Sequence, residues 1–381
     1  MANLNADSLV AHDPLEHHAT LADTPLAKYF KAAVKLQSSD LIMRGGQVPK
    51  LRMRGALKGL DTRPPTEDEF NQWIHDGLSK EQIEQYQVKG SLDIGVDFDV
   101  DGESHRFRVN IFMTRGRSAI AARRVSNEIL NFSQLYLPEA MNEITKYKQG
   151  LVLLCGVTGS GKSTTIAAML DEINQRDSVH ILTIEDPIEY LFEDKKSMIN
   201  QREIGLDCPD FPTALRAMVR ENPDVVLVGE MRDRETFEAA LQAAETGHLV
   251  FGTIHASSAT QAFSRIYDLF PAEEREAIRT LLAYQMQAFV YQKLLPTIRE
   301  DMARVPAVEI LIQSPPTRKY IMEGREDELE KVIKDSREMG MQTFVDSLVG
   351  LVEKEYIHPR VAQANAPSPE EIKMRLRGIS V

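Results

Sequence analysis

Residues Gly156-Val157-Thr158-Gly159-Ser160-Gly161-Lys162-Ser163 fit the pattern G-x-x-x-x-G-K-[ST]. Glycines at this spacing let main-chain N–H groups turn inward around phosphate oxygens, and a helix that opens at the end of the loop adds the positive end of its dipole. Lys162 can reach β- and γ-phosphate oxygens, the Ser163 hydroxyl can ligate Mg²⁺, and Thr164 completes the nucleotide-contacting stretch. The bland alternative is a glycine-rich turn with no ligand. The flanks argue against it: LVLLC precedes the loop as an apolar strand, and Ile166, Met169, Leu170 and Ile173 follow at helical spacing. The chemistry expected is binding and hydrolysis of a nucleoside triphosphate, ATP, with Mg²⁺.

Two more apolar runs end in carboxylates. VHILTIEDPIEY carries Glu185, Asp186 and Glu189, and PDVVLVGEMRD carries Glu230. In open α/β sheets, ligands sit beyond the carboxyl ends of the strands. Glu230 is thereby placed to hold Mg²⁺ or its waters, or to orient an attacking water; the Asp that usually precedes this glutamate is Gly229 here. Glu189 is a second candidate for general base, and the spacing leaves the choice open. His248 and His255 flank the apolar run LVFGTI. A histidine at a strand end in this sheet can sense the γ-phosphate, which makes both candidates, although an isolated histidine is more often structural.

The elements around these residues fall into two textures. Before Gly150, Leu92, Ile94, Val96 and Phe98 alternate with polar residues, Asp101-Gly102 supplies a hairpin turn, and HRFRVNIF returns with Phe107, Val109 and Ile111 on one face and Arg106, Arg108 and Asn110 on the other. SSDLIMRGG and VPKLRMRG read as short strands, Ala27–Val34 as a helix, and TRPPTEDEFNQWI as a helix start. After Gly150, apolar β-rich runs alternate with helical patterns, the mark of a parallel sheet buried on both faces. Beyond Pro271 the chain reads mainly helical, with one long amphipathic helix running through Phe289 and a short strand at PAVEILI. The fold class is α/β, with a mobile tail over 1–24, an N-terminal domain over 25–128, a linker over 129–143, an ATPase domain over 144–360 and a polar tail over 361–381.

The 381 residues carry a net charge of -12, which disfavours stable nucleic-acid binding in the absence of a basic patch. Two distant cysteines have no metal-ligand spacing, and no stretch approaches 18 apolar residues. Neither a structural zinc, a disulfide framework nor a membrane span is expected, nor is a signal peptide, since the N-terminus lacks a basic start and an apolar core.

Taken together, SSDLIMRGG, RFRVNIF, GVTGSGKST, IEDPIEY, VLVGEMRDRETFEAALQAAETGH and TIHASSA, in this order over about residues 27–350, resemble the secretion ATPase superfamily, and within it the type IV pilus retraction ATPases of the PilT/PilU group. The resemblance implies a PAS-like N-terminal α/β domain and a RecA-like P-loop domain with a helical C-terminal part. It assigns Glu230 to the Walker B glutamate, Glu189 to the glutamate of the aspartate box, and His248 and His255 to the histidine box. It implies a homohexamer with ATP bound between domains of neighbouring subunits, completed by arginines of the small domain: Arg106, Arg108 and Arg123, with Arg115 and Arg124 as further candidates. The opposing reading is that Arg106 and Arg108 pair with Asp97 and Asp99 across the hairpin. The implied partners are a PilT-type retraction ATPase and a PilC-like platform protein, at the cytoplasmic face of the inner membrane of a Gram-negative bacterium. The four-cysteine metal motif and larger N-terminal region of the extension and secretion branch are missing, which favours retraction. TRKYIMEG stands where PilT members carry AIRNLIRE, and together with the acidic GREDELEKVI and the polar tail it points toward the accessory PilU type. The alternatives are a poorly hydrolysing regulator of a partner motor and a traffic ATPase with another client.

Overall fold

The alternating residues between Ser91 and Thr114 form a hairpin, and it anchors the first of two units into which the chain divides after Val125. The computed structural model describes residues 20–53, 56–125, 128–300 and 302–378. The first unit runs α1 (Ala27–Lys35), β1 (Asp40–Arg44), β2 (Lys50–Met53), β3 (Ala56–Gly59), α2 (Glu67–Asp76), α3 (Lys80–Lys89), β4 (Ser91–Val100), β5 (Glu103–Thr114) and β6 (Arg117–Arg124). Its strands make one antiparallel sheet, β3-β2-β1-β6-β5-β4. Asp101 and Gly102, both at positive φ (57° and 88°), make the two-residue turn between β4 and β5. Thr66 opens α2 with a capping box, the start signal read in TRPPTEDEF. The sequence gives little warning of α3, whose Ile83 and Tyr86 are only partly buried against the core, leaving a short, weak apolar stripe.

Phe30, Phe98 and Phe107 centre this core, Phe30 stacked on Phe98 at 4.1 Å and edge-on to Phe107 at 5.1 Å. Leu21 is fully buried against the same cluster, in a 3-10 turn (Leu21–Asp23) capped by Thr20. The tail expected over 1–24 is corrected here: residues 20–24 belong to the folded unit because burying one leucine is worth about 1.5–3 kcal/mol. Residues 1–19 lie outside the described residues.

The second unit runs α4 (Ala140–Ile144), β7 (Gly150–Cys155), α5 (Lys162–Arg176), β8 (His180–Glu185), β9 (Met198–Glu203), α6 (Phe211–Met218), β10 (Val225–Val228), α7 (Arg234–Glu245), β11 (Leu249–Ile254), α8 (Gln261–Tyr267), α9 (Arg275–Gln285), β12 (Met286–Pro296), β13 (Arg304–Ile312), α10 (Pro315–Met322), α11 (Leu329–Asp335), α12 (Phe344–Glu353), α13 (Pro359–Asn365) and α14 (Pro369–Arg375). The sheet order is β13-β12-β7-β11-β10-β8-β9, parallel except for the β12–β13 pair. Every residue of β7, β10 and β11 is buried, as expected for central strands covered on both faces.

Three expectations are corrected. The helix expected through Phe289 stops at Gln285, and the chain continues as β12, parallel to β7 and antiparallel to β13. Met286, Ala288, Phe289 and Val290 are all fully buried there. A strand packed on both faces loses the two-residue period that separates it from a helix. The linker expected over 129–143 contains the start of α4, whose Met141 and Ile144 are buried in the main core. The polar tail expected over 361–381 is helical as far as it is described. Pro359 and Pro369 occupy first-turn positions, where proline starts a helix rather than breaking one. Ala362 and Ile372 are buried with Phe344 and Leu348 of α12.

Candidate active site

β7 ends at Cys155, and the loop 156–161 turns into α5 at Lys162. The turn is tight enough to exclude side chains at two positions. At Gly156 (φ 149°) a Cβ would stand 2.5 Å from the Gln292 carbonyl oxygen, and at Gly161 (φ 89°) 2.7 Å from Gln292 Nε2. Gly161 is the N-cap of α5 and no side chain caps this helix, so its first amides can take an anion. The buried Ser160 Oγ has no hydrogen-bond partner among the described residues. Lys162 Nζ folds back over the loop and donates to the carbonyls of Gly156 (2.8 Å) and Val157 (3.2 Å). Burial holds its pKa below the ordinary lysine value, while the charges of Glu230, Cys155 and Glu189 pull the other way. A polyphosphate at this place supplies the anion that the buried ammonium lacks.

Glu230 follows β10, and His255 follows β11, its neighbour in the sheet. The His255 ring stands between loop and carboxylate: Nδ1 is 3.1 Å from the Gly156 carbonyl oxygen and Nε2 is 3.0 Å from Glu230 Oε1. The second contact is not a hydrogen bond, and among the described residues Oε1 is buried with no hydrogen-bond partner, so it can accept from a water. Arg232 donates to Oε2. Burial raises the Glu230 pKa, but the hydrogen bond and charge of Arg232, with His255 and Lys162 behind it, outweigh burial and hold the carboxyl below its ordinary value. Gly229 occupies the usual aspartate position for a steric reason: a Cβ there would lie 3.3 Å from both Glu185 Cα and the Ile184 carbonyl oxygen on β8.

Glu189 lies just beyond β8, and its amide donates to Glu185 Oε2 (3.3 Å). The next residue, Tyr190, shares a 2.7 Å hydrogen bond with Thr164 on the first turn of α5, which ties this segment to the phosphate loop. Loop, Glu189, Glu230 and His255 thus meet at the carboxyl ends of β7, β8, β10 and β11. His248 does not join them. It sits at the opposite end of β11, about 20 Å away at strand rise, with Nδ1 2.9 Å from the Ala243 carbonyl oxygen at the end of α7.

The arginines all lie in the first unit. Arg106 is 7% exposed, and its Nη1 donates to Asp97 Oδ2 at 2.7 Å, directly across β4–β5. The cross-hairpin pairing therefore holds for Arg106. It does not hold for Arg108, which lies opposite Gly95 rather than Asp99. Arg108 faces Arg123 across β5–β6, and the two line an open pocket of about 360 Å³ with Arg52, Asp40, Asp93 and Asn110. Arg123 donates to Asp40 at 2.9 Å. Arg115 and Arg124 lie at the turn after β5 and on β6.

The donor set fits magnesium. Among the described residues no three His, Cys, Asp or Glu side chains converge as a metal cluster. Oxygen donors such as the Ser163 hydroxyl and the Glu230 carboxylate are the kind that Mg²⁺ takes beside substrate phosphates and water, and they are the residues that would hold it.

Arg232, Tyr190 and Gln292 were not among the sequence candidates. Arg232 and Tyr190 adjoin motif residues and were within reach of the motif boundaries. Gln292 lies on a strand whose surroundings read as helix. The burial of two carboxylates, Glu185 and Glu309, was not legible either. Burial pushes Glu185 up to about 7 despite bonds from Thr183, the Glu189 amide and Gln201. It pushes Glu309 on β13 up to about 7 despite amide bonds from Ala259, Phe344 and Thr260. Both folded-state values lie above the ordinary 4.5 of an unfolded chain. Their stabilising contribution is therefore complete below that value and is lost as pH rises through 7. The carboxyls held low, such as Asp177, Glu230 and Asp346, lose stability only at more acidic pH. Thermal melting is expected several degrees higher at pH 6 than at pH 8, about 1 kcal/mol per carboxyl. Glu309→Gln should remove about half of that difference by calorimetry, and greater stability at pH 8 would contradict the assignment.

The family model described as type II/IV secretion system protein matches residues 90–344. The type IV pilus retraction ATPase PilT of Pseudomonas aeruginosa is 40% identical over 339 residues, covering 89% of this chain and 97% of that protein. The chain belongs to the secretion ATPase family. The type IV pilus ATPase PilU of the same organism is 33% identical over 350 residues, covering 92% and 91% of the two chains. The crystal structure of the pilus retraction motor PilT with bound ADP superposes with a TM-score of 0.82 at 41% identity, over 91% of this chain and 98% of that one. The α/β architecture, a smaller N-terminal domain followed by an ATPase domain, is that of this secretion ATPase family, and the chain is an ATPase.

Proposed function

We propose that this ATPase powers retraction of type IV pili, as a homohexameric ring at the cytoplasmic face of the inner membrane in a Gram-negative bacterium. The observation that carries the reading is the gathering of Lys162, Glu189, Glu230 and His255 around one phosphate loop, in a chain that covers 97% of a PilT. The loop amides and Lys162 bind the triphosphate. Glu230 or Glu189 orients the attacking water and takes its proton, and His255 links the phosphate loop to Glu230. Mg²⁺, when bound, neutralises phosphate charge beside Ser163. Loss of the γ-phosphate removes that group's own contacts to the site, and the ring interface opens.

Arg108 and Arg123 are proposed to complete the site of a neighbouring subunit: they lie opposite each other across β5–β6 and line one open pocket, as arginines supplied across an interface in phosphoryl transfer would. Arg106, buried on Asp97, has a structural part instead. No helix among the described residues is long and apolar enough to cross a membrane, so a PilC-like platform protein would hold the ring in place.

The accessory, PilU-like assignment rests on TRKYIMEG (317–324) standing where PilT members carry AIRNLIRE, on the acidic stretch 324–333 and on the polar C-terminal segment. The higher identity to PilT (40%) than to PilU (33%) weighs against it. Phosphate release by the purified chain, with and without a PilT-type partner, separates the two. Turnover alone, with retraction restored in a strain lacking its retraction ATPases, supports an autonomous motor. Turnover only in the mixture supports the accessory role. DNA-stimulated hydrolysis with no effect on pili would overturn both.

A further inference from the structure

Gln292 lies on β12 one residue beyond the last pairing of that strand with β7, Tyr291 with Cys155, and so stands beside the point where the phosphate loop leaves the sheet. Its side chain is 2% exposed, and both ends of its amide are used. Nε2 donates to the Ser160 carbonyl oxygen at 2.8 Å, and Oε1 accepts from the Thr165 hydroxyl at 2.8 Å. Ser160 and Thr165 flank Gly161-Lys162 on either side. The same residue fills the space over both constrained glycines, its main-chain oxygen over Gly156 and its Nε2 over Gly161. One side-chain amide therefore ties the loop's last peptide to the first turn of α5, while the same residue's main chain closes over the loop's entry.

From this we infer that Gln292 is a positioning residue for nucleotide binding, setting the curvature of the phosphate loop without touching the substrate. The inference rests on the loop binding a nucleotide. An amide meets the demand by donating and accepting at once: an ionised carboxylate cannot donate to the Ser160 carbonyl, and an apolar chain of the same length can neither donate nor accept. The Ser160 carbonyl, deprived of its donor in a buried place, would turn to another partner and draw the loop out of shape.

The test uses the full-length protein, a fluorescent ADP analogue with Mg²⁺, and steady-state phosphate release. Gln292→Met should weaken ADP binding and raise KM for ATP about tenfold, with kcat within about threefold of the parent. Thr165→Val, which removes one of the two bonds, should weaken binding about threefold. The double variant should be no worse than Gln292→Met alone, because the two changes break a shared bond. A Gln292→Met protein that melts like the parent and binds ADP within twofold of it overturns the inference, as does full additivity in the double variant. If Gln292→Met does not fold, Thr165→Val decides, and parental affinity in that variant overturns the inference. A parent protein that fails to bind the analogue would instead overturn the nucleotide reading itself.

Discussion

Replacing Lys162 with Ala lowers kcat/KM for ATP by about 10³-fold, because a preorganised cation aimed at transferring phosphate oxygens is among the largest single contributions to phosphoryl transfer. The structure adds a second expectation. The Lys162 ammonium is buried and, among the described residues, bonded to the Gly156 and Val157 carbonyls, with its pKa depressed by that burial. A charge in such a place stabilises the empty protein little, so Lys162→Ala should melt within a few degrees of the parent while losing turnover. Phosphate release and differential scanning calorimetry on the same preparation check both halves. Parental turnover would remove the loop from the chemistry, and collapse of the fold would make the lysine a structural residue.

Glu230→Gln should lower kcat by about 10²- to 10³-fold while ATP binds as tightly as before or more tightly. Its Oε1 is buried and has no hydrogen-bond partner among the described residues, and Arg232, His255 and Lys162 together keep the carboxyl ionised. An ionised carboxylate with one oxygen available is fitted to orient a water and accept its proton. Glutamine keeps the shape but gives up the charge, and it no longer repels the phosphates. Nucleotide affinity from equilibrium titration, set beside single-turnover hydrolysis, separates the two effects. A raised KM with kcat intact would mean that Glu230 only helps binding. Glu189→Gln, measured alongside, identifies which carboxylate is the base.

The site was legible where chemistry is carried by residues close together in the chain. The loop 156–163 and the carboxylates after β8 and β10 can be read because glycine spacing and strand-end position are local signals. The hairpin of β4 and β5 was legible for the same reason, through its alternation and the Asp101-Gly102 turn. The less legible features depend on tertiary packing. β12 carries an apolar run buried on both faces, which imitates a helix, so neither the strand nor Gln292 on it stood out. His248 and His255 look equivalent on either side of LVFGTI, and only the direction of β11 in the sheet tells which one meets the loop. Arg106 and Arg108 look alike in RFRVNIF, and register decides which of them lies across from an aspartate. Pro359 and Pro369 read as marks of a tail until Ala362 and Ile372 are seen beneath them.

Isothermal titration of the purified full-length chain with ADP and Mg²⁺ examines the central claim most directly. One site per subunit is expected, with a dissociation constant in the micromolar range usual for such sites, and with no binding heat for Lys162→Ala. Absence of binding by the parent protein, alone and mixed with a PilT-type ATPase, would contradict the claim that residues 156–163 grip a nucleotide.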